Sequence, residues 1–327
     1  MALPIASDRK HQMKVVSYLA TLPVKMLSGA YSTNEKLLTL TRYAEGVGAA
    51  GDIGTVSRTL QHEPADVAVM LGWVHDHGKS APHLQFRHHI VAQQRLHGGR
   101  TVIADSNLFL YHDTKNPHYY LRYSYDGVFP NTGEYCDSDP DPAQWNRIQQ
   151  DMGIRVRNWR STGNHILVCL QRNGGWSMGT TSVLDWAAET ILELRKHTDR
   201  PIVIRPHPGD KRAREYIGNF PANGPLRNVV VGDSTIPLTR DLKYCWAAVA
   251  HNSSPTVGAA LEGVPVFVTD PARSQCRDIA NTDLSRIETP AMPDRTAWLH
   301  RISQFHWSHA DLVSGRCWAH MRQWARP

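Results

Sequence analysis

Three short segments in the second half of the chain combine residue types suited to gripping a phosphate. The first, Arg172-Asn173-Gly174-Gly175, joins a guanidinium to two glycines. Glycine lets the backbone turn sharply and approach a phosphate closely, and successive N–H groups in such a loop form an anion-binding concavity. The same pair also serves as an ordinary turn. The second, Arg205-Pro206-His207-Pro208, fixes a histidine between two prolines, with Lys211 and Arg212 close behind. A restrained imidazole can donate a hydrogen bond to a phosphate and stabilise a departing nucleoside phosphate. The competing reading is a histidine that satisfies a loop carbonyl. The third, Asn252-Ser253-Ser254-Pro255, offers Ser254 as an N-cap and proline at the first helical position. Free amides at that helix start, with two hydroxyls, suit an anion. Capping accounts for one serine, not for the second or for His251-Asn252 before it.

Each segment follows a run that reads as a buried strand. HILVCLQ (165–171), PIVIRPHP (201–208), NVVVGD (228–233), AAVAHNSS (247–254) and PVFVTD (265–270) are apolar without alternation. Between the first two lies SVLDWAAETILELRKHT (182–198), with Val183, Leu184, Ala187, Ile191 and Leu194 at helical spacing. Shorter helical stretches, DKRAREYIGN, LTRDLKYC and PTVGAALEG, separate the others. Such a pattern predicts a parallel sheet of right-handed βαβ units, and ligands bind at the carboxyl ends of its strands. The first half is less regular. MKVVSYLATLP, VAVMLGWV (67–74) and TVIADSNLF (101–109) read as strands, and HHIVAQQRLHGG as a helix ending at a glycine pair. The polar run DSDPDP (137–142) opens the linker. The expected architecture is α/β, two Rossmann-like domains facing a cleft, with residues 1–160 in one and 161–327 in the other. Trp298, Trp307, Trp318 and Trp324, at amphipathic spacing, predict a tail that packs back across the domain interface.

Composition narrows the classes. A chain of 327 residues, 41% hydrophobic and 20% charged, is comfortable as two globular domains. No apolar run approaches about 18 residues, so no integral membrane segment is expected. The N-terminus lacks the layout of a secretion signal, which makes cytoplasmic residence the expectation. Five scattered cysteines without a CxxC pair argue against a zinc ribbon or a disulfide framework. The 18 histidines invite a metal, above all His75-Asp76-His77 and His88-His89, but no helical HxxxH has a partner acid, and no metal is expected. A net charge of +6 admits a polyanionic partner, nucleic acid or an acidic glycan or membrane surface, although the basic residues do not run together. The oligomeric state is left open.

The order and strand-end placement of the HP pair and of NSSPTVGAALEGVPVFVTD resemble the donor-binding half of GT-B glycosyltransferases. The pairing of HP with SS is similar to bacterial sialyltransferase and capsule-type enzymes that use nucleotide sugars. This resemblance covers about a third of the chain. It implies a nucleotide-sugar donor (UDP-, GDP- or CMP-linked) and an inverting transfer without metal. By it, His207 and Pro208 contact the donor phosphate and support the leaving group, while Ser253 and Ser254 bind phosphate. Arg172, Asn173, Gly174, Gly175, Arg205, Lys211 and Asn252 complete the expected donor site, in residues 161–327. Residues 1–160 then bind the acceptor. The resemblance also implies an acidic residue followed by glycine as general base, and Tyr125-Asp126-Gly127 matches best. Asp-Gly is also a common turn, and Asp105 is the next candidate. Asn131, Thr132 and Glu134 follow as acceptor contacts. One departure stands out. Many GT-B enzymes carry a ribose-binding glutamate five residues before the glycine of the G-x-P turn, where this chain has Gly258, with Glu262 beside the turn instead.

For the acceptor, compact size, basic charge and the missing membrane element resemble phage-type DNA glycosyltransferases, which modify hydroxymethylated pyrimidines and would act in the host cytoplasm. DNA is the expected partner on that reading, through a flipped base and salt-dependent phosphate contacts. The alternatives are a capsule or lipopolysaccharide glycosyltransferase with a glycan or lipid acceptor, a nucleotide-sugar epimerase, and a non-catalytic nucleic-acid-binding protein.

Overall fold

The computed structural model describes residues 12–19, 33–74, 81–111, 116–218, 220 and 224–326. In chain order its first part comprises β1 (Lys14–Tyr18), α1 (Thr33–Ala49), β2 (Ile53–Ser57), β3 (Val67–Leu71), α2 (Pro82–Leu96), β4 (Arg100–Asp105), β5 (Leu121–Tyr125) and α3 (Pro142–Met152). The second part runs through β6 (His165–Cys169), α4 (Val183–Arg195), β7 (Ile202–Arg205), α5 (Ala213–Ile217), β8 (Val229–Val231), α6 (Leu238–Leu242), β9 (Cys245–Ala250), α7 (Pro255–Leu261) and β10 (Val266–Val268). The chain ends with α8 (Thr296–Ser303), β11 (His306–Trp307), α9 (His309–Val313) and α10 (Arg316–Met321).

Among the described residues the strands form two sheets, ordered β11-β5-β4-β3-β1-β2 and β10-β9-β6-β7-β8. The second is parallel throughout, as strands without polar alternation require. In the first, β1 to β4 run parallel but β5 runs antiparallel to β4, and β11 antiparallel to β5. Alternate residues face opposite sides. Val15, Val67, Val69, Val102 and Ala104 pack under α1, α9 and α10, whereas Val16, Ala68, Met70 and Ile103 pack under α2. In the second sheet α4 covers one face, capped by Ser182 and burying Val183, Trp186, Ala187, Ile191 and Leu194. In the first sheet β2, β5 and β11 were not anticipated, nor were α1 and α3 beside it. Their sequences are amphipathic or mixed rather than uniformly apolar, and β2 lies at an exposed sheet edge.

The tail does return to the first sheet, as short pieces rather than one helix. Trp318 donates to Asp52 (2.8 Å), which also accepts from the Met13 N–H (2.9 Å) and from Arg322. Burial pushes the Asp52 carboxyl up, but these hydrogen bonds outweigh it and leave it below its ordinary value. His306, fully buried in β11, donates through Nδ1 to the Ile302 carbonyl (2.8 Å) and accepts from the Leu108 N–H at Nε2 (3.1 Å). The run DSDPDP leads into α3, with Asp141 as its N-cap, so it belongs to a packed connection. No described helix is long and apolar enough to cross a membrane.

His306 makes both hydrogen bonds only as the neutral imidazole, and burial pushes its pKa down from 6.5 to about 3; burial, then the nearby Arg42, takes His309 to about 4. Between pH 6.5 and those values the unfolded chain binds protons that the folded chain refuses. Stability is therefore complete above pH 6.5 and declines as pH falls, by about 1.4 kcal/mol per unit for each such group. The melting temperature of the wild type should drop steeply between pH 6.5 and 4. His306→Gln should melt lower at pH 7.5 yet fall less with acid; parallel profiles for the two proteins would contradict this account.

Candidate active site

The three predicted segments meet in one cavity of about 470 Å³ at the carboxyl ends of β6, β7 and β9. Its lining includes Arg172, Asn173, Gly174, Gly175, His207, Asn252, Ser253 and Ser254 from the second domain, and Asp105, Ser106, Leu108 and Arg122 from the first.

Hydrogen bonds between the loops hold them together. Gln171, at the end of β6, donates from one amide nitrogen to Asn252 Oδ1 (2.7 Å) and Ser177 Oγ (2.6 Å). Asn252 in turn donates to Asp270 (3.0 Å) and to the Ser177 carbonyl (3.2 Å). Asp210 ties the histidine loop to the glycine loop, accepting from the Asn173 N–H (2.9 Å) and the Tyr216 hydroxyl (2.6 Å). Burial raises the Asp210 carboxyl, but these donors and Arg172 bring it below its usual value, so it stays ionised. His207 accepts from the Gly209 N–H at Nδ1 (3.0 Å), which leaves its proton on Nε2. Burial, then the nearby Arg172 guanidinium, lower the His207 pKa. The imidazole is thus a neutral donor at neutral pH.

Ser253 Oγ is buried without a hydrogen-bond partner, and so are Gln171 Oε1 and Gln275 Oε1 at the same cavity. Three unsatisfied polar atoms together are expensive in a folded core unless something else binds them.

Several expected residues are placed differently. Arg205 is buried and ion-paired with Asp241, and it donates to the Ile236 carbonyl (2.7 Å); it braces the loop before α6 instead of lining the cavity. Lys211 and Pro208 are exposed and also lie outside its lining. Ser254 makes no side-chain cap, because its backbone is already helical, and the Thr256 and Val257 N–H groups bond Ser253 and Ser254 carbonyls. The expected free amides at the start of α7 are therefore occupied, and the hydroxyl of Ser253 is what the turn leaves open.

Asp126 departs most. Because β5 runs antiparallel, its end lies beside the start of β4, where Asp126 accepts from Arg100 Nε (2.8 Å) and from the Thr101 N–H (2.9 Å). Asp105 ends β4, four residues further along, so the two carboxylates stand roughly 13 Å apart along the strand. Asp105, ion-paired with Arg122, is the carboxylate that lines the cavity with His207. Thr132 lines a neighbouring cavity, while Glu134 accepts from the Cys136 N–H and does not reach either one. His75-Asp76-His77 lies outside the described residues. Among the described residues no group of three or more His, Cys, Asp or Glu could hold a metal ion.

Sequence reasoning passed over Gln171, Trp176, Phe129, Arg273 and Gln275. Gln171 carried a signal, as an amide closing an apolar strand, and Arg273 and Gln275 follow the strand that ends at Val268.

Gly258 has a steric cause. A Cβ there would stand 2.6 Å from Tyr111 Cβ, so glycine lets α7 press against the first domain, and no longer side chain fits. Glu262 is buried and paired with Arg157 (2.8 Å), away from the cavity.

No protein-family model matches the chain, and no curated protein sequence matches it. Solved structures do. Thermosulfurimonas dismutans KpsC, described as a beta Kdo 2,4 transferase, aligns with a TM-score of 0.54 at 11% identity over 93% of this chain and 97% of its own. Its beta Kdo 2,7 transferase structure gives 0.47 at 10% identity over 93% and 98%. The glycosyltransferase SnogD from Streptomyces nogalater gives 0.29 at 15% over 96% and 100%. The first of these carries the argument, and it concerns the fold: the protein is α/β, with two Rossmann-like domains arranged as in GT-B glycosyltransferases.

Gly258→Ala should cost about 1–3 kcal/mol, since it overpacks a closed contact. Urea denaturation should show the loss; a stability equal to wild type would mean that α7 and Tyr111 are not pressed together.

Proposed function

We propose that this protein is an inverting glycosyltransferase that moves a sugar from a nucleotide-sugar donor to a hydroxyl of a glycan or glycolipid, as capsule and lipopolysaccharide enzymes do. The observation that carries the reading is the convergence, in one cavity, of the neutral His207 donor, the unpartnered Ser253 hydroxyl and the Gly174-Gly175 loop, facing Asp105 across the cleft. The donor phosphates lie against the first three. Arg172 adds charge at the rim. The likeness to a Kdo transferase supports the reading at the level of the fold. A DNA acceptor gains no support from these likenesses, and the basic charge alone does not select it.

The step balances simply. Asp105 takes the proton of the acceptor hydroxyl as its oxygen bonds to the anomeric carbon from the face opposite the leaving group. The bond from that carbon to the donor phosphate breaks, and the electron pair departs with the nucleotide. His207 Nε2–H and Ser253 Oγ–H donate to the phosphate oxygen as its charge grows, which favours the transition state over the bound donor. Arg122 holds the Asp105 carboxylate in place through their ion pair.

A donor at 100 times its dissociation constant should stabilise the protein by about 2.7 kcal/mol. A thermal-shift screen of UDP-, GDP- and CMP-sugars should therefore find one that raises the melting temperature, and His207→Ala and Ser253→Ala should each abolish that rise. Asp105→Asn should keep the rise and lose transfer by about 10²–10⁴-fold. No stabilisation by any donor, or loss of transfer in Asp126→Asn with full activity in Asp105→Asn, would overturn these assignments.

A further inference from the structure

A second cavity, of about 510 Å³, opens beside the first and runs down the face of the first sheet between α2 and the loop that carries Phe129 and Thr132. The two cavities share Phe129, Trp176 and Arg273, so they adjoin at those side chains. At this junction the rings of Trp73 and Trp176 lie 6.2 Å apart, those of Phe129 and Trp176 lie 4.9 Å apart, and the Arg273 guanidinium sits 5.5 Å over Phe129. The far end holds Thr101, which is 1% exposed and whose Oγ1 has no hydrogen-bond partner, beside Asp126, whose carboxylate accepts from Arg100 and the Thr101 N–H.

Strand geometry sets the length of this groove. Asp105, Ile103 and Thr101 occupy alternate positions of β4 and so face one side of the sheet. The distance from the carboxylate at the reaction centre to the Thr101 hydroxyl is then roughly 13 Å. That exceeds one sugar ring. Aromatic faces at the mouth suit the C–H faces of sugars, and a buried hydroxyl at the far end needs a polar partner.

We propose, resting on the donor assignment above, that this groove is an extended acceptor site for a glycan of at least two sugar units. The unit that receives the transferred sugar lies at Phe129, Trp176 and Arg273, with its hydroxyl at Asp105. The next unit lies along Ile103 and hydrogen-bonds Thr101 Oγ1. A flipped nucleotide fits this arrangement poorly, since its phosphates stay with the duplex outside and it leaves Thr101 unreached.

The test measures dissociation constants of the full chain for mono-, di- and trisaccharide fragments of bacterial surface glycans by saturation-transfer NMR, with a hydroxymethylcytosine duplex as competitor. Disaccharides or trisaccharides should bind at least about tenfold more tightly than their component monosaccharides. Thr101→Val removes one hydrogen bond and keeps the shape, and should weaken the longer glycans by about fivefold while leaving monosaccharides unchanged. Ala92→Trp, at an exposed position of α2 that lines the groove, adds bulk without touching Thr101 and should block the longer glycans alone. Equal affinity for short and long glycans, indifference to both substitutions, displacement by the duplex, or no binding of any longer glycan overturns the proposal. Donor stabilisation is read separately, so a failure of the donor assignment shows as its loss in the wild type whatever the glycans do.

Discussion

The return of the C-terminal segment to the first sheet is the constraint on which the cleft depends. After β10 the chain leaves the second domain, runs through α8, adds β11 to the edge of the first sheet and lays α9 and α10 against α1. His306 stands at the crossing, bonded to Ile302 behind it and to Leu108 of the first domain, while Gln144 of α3 donates to its carbonyl (2.6 Å). One hydrophobic cluster includes Phe109, Tyr120 and Tyr135 from the first domain together with Leu167, Ala248, Val257, Trp298 and Ile302. Separating the domains would expose that whole cluster, at about 25 cal/mol per Å² of apolar surface. Hinge motion of the kind common in two-domain enzymes must therefore work against a shared core.

That shared core explains why the cleft can leave polar atoms unpaired. Leaving the polar atoms of Ser253, Gln171 and Gln275 unpaired costs about 1–3 kcal/mol each, a cost that loosely joined domains would relieve by parting. The network of Gln171, Asn252, Asp270 and Ser177 holds the loop ends rigid from the other side. Unsatisfied groups held in rigid walls are preorganised, and a ligand that supplies the missing partners gains their full hydrogen-bond energy without ordering the loops first.

How much of this was legible in the sequence varied with the burial of each element. The second domain read directly, because its strands are buried on both faces and each phosphate-type loop follows one. Lys211 and Arg205 were grouped with His207 by nearness in sequence, yet Arg205 closes β7 and turns to Asp241 and the Ile236 carbonyl, whereas His207 lies past the strand end in the loop that lines the cavity. In the first domain β5 was unreadable as a strand, since LRYSY mixes a charge, a hydroxyl and aromatics, and its antiparallel direction leaves no local mark. That direction decides the site. The antiparallel direction carries Asp126 beside Thr101, where it lines the neighbouring cavity, and leaves Asp105, at the end of a parallel strand, in the cavity that His207 lines. Ser254 misled for a different reason, because its cap preference was real but the turn had already become helical one residue earlier.

The electrostatics of the cleft follow from which donors are charged. Asp210 and the Gly209 N–H keep the His207 loop in place, while burial and Arg172 hold the imidazole neutral. Ser253 is neutral too. Cationic donors would also stabilise charge that develops on a departing phosphate oxygen, but they are held in the buried wall at a larger desolvation cost. Neutral donors in a buried wall are cheaper to desolvate than charged ones. On the proposed reading, their hydrogen bonds strengthen as negative charge collects on the departing oxygen. Arg172, exposed at the rim, attracts the anion at long range without committing the buried wall to it. On that reading, the arginine before the glycine pair supplies a charged rim and the histidine between two prolines a neutral floor.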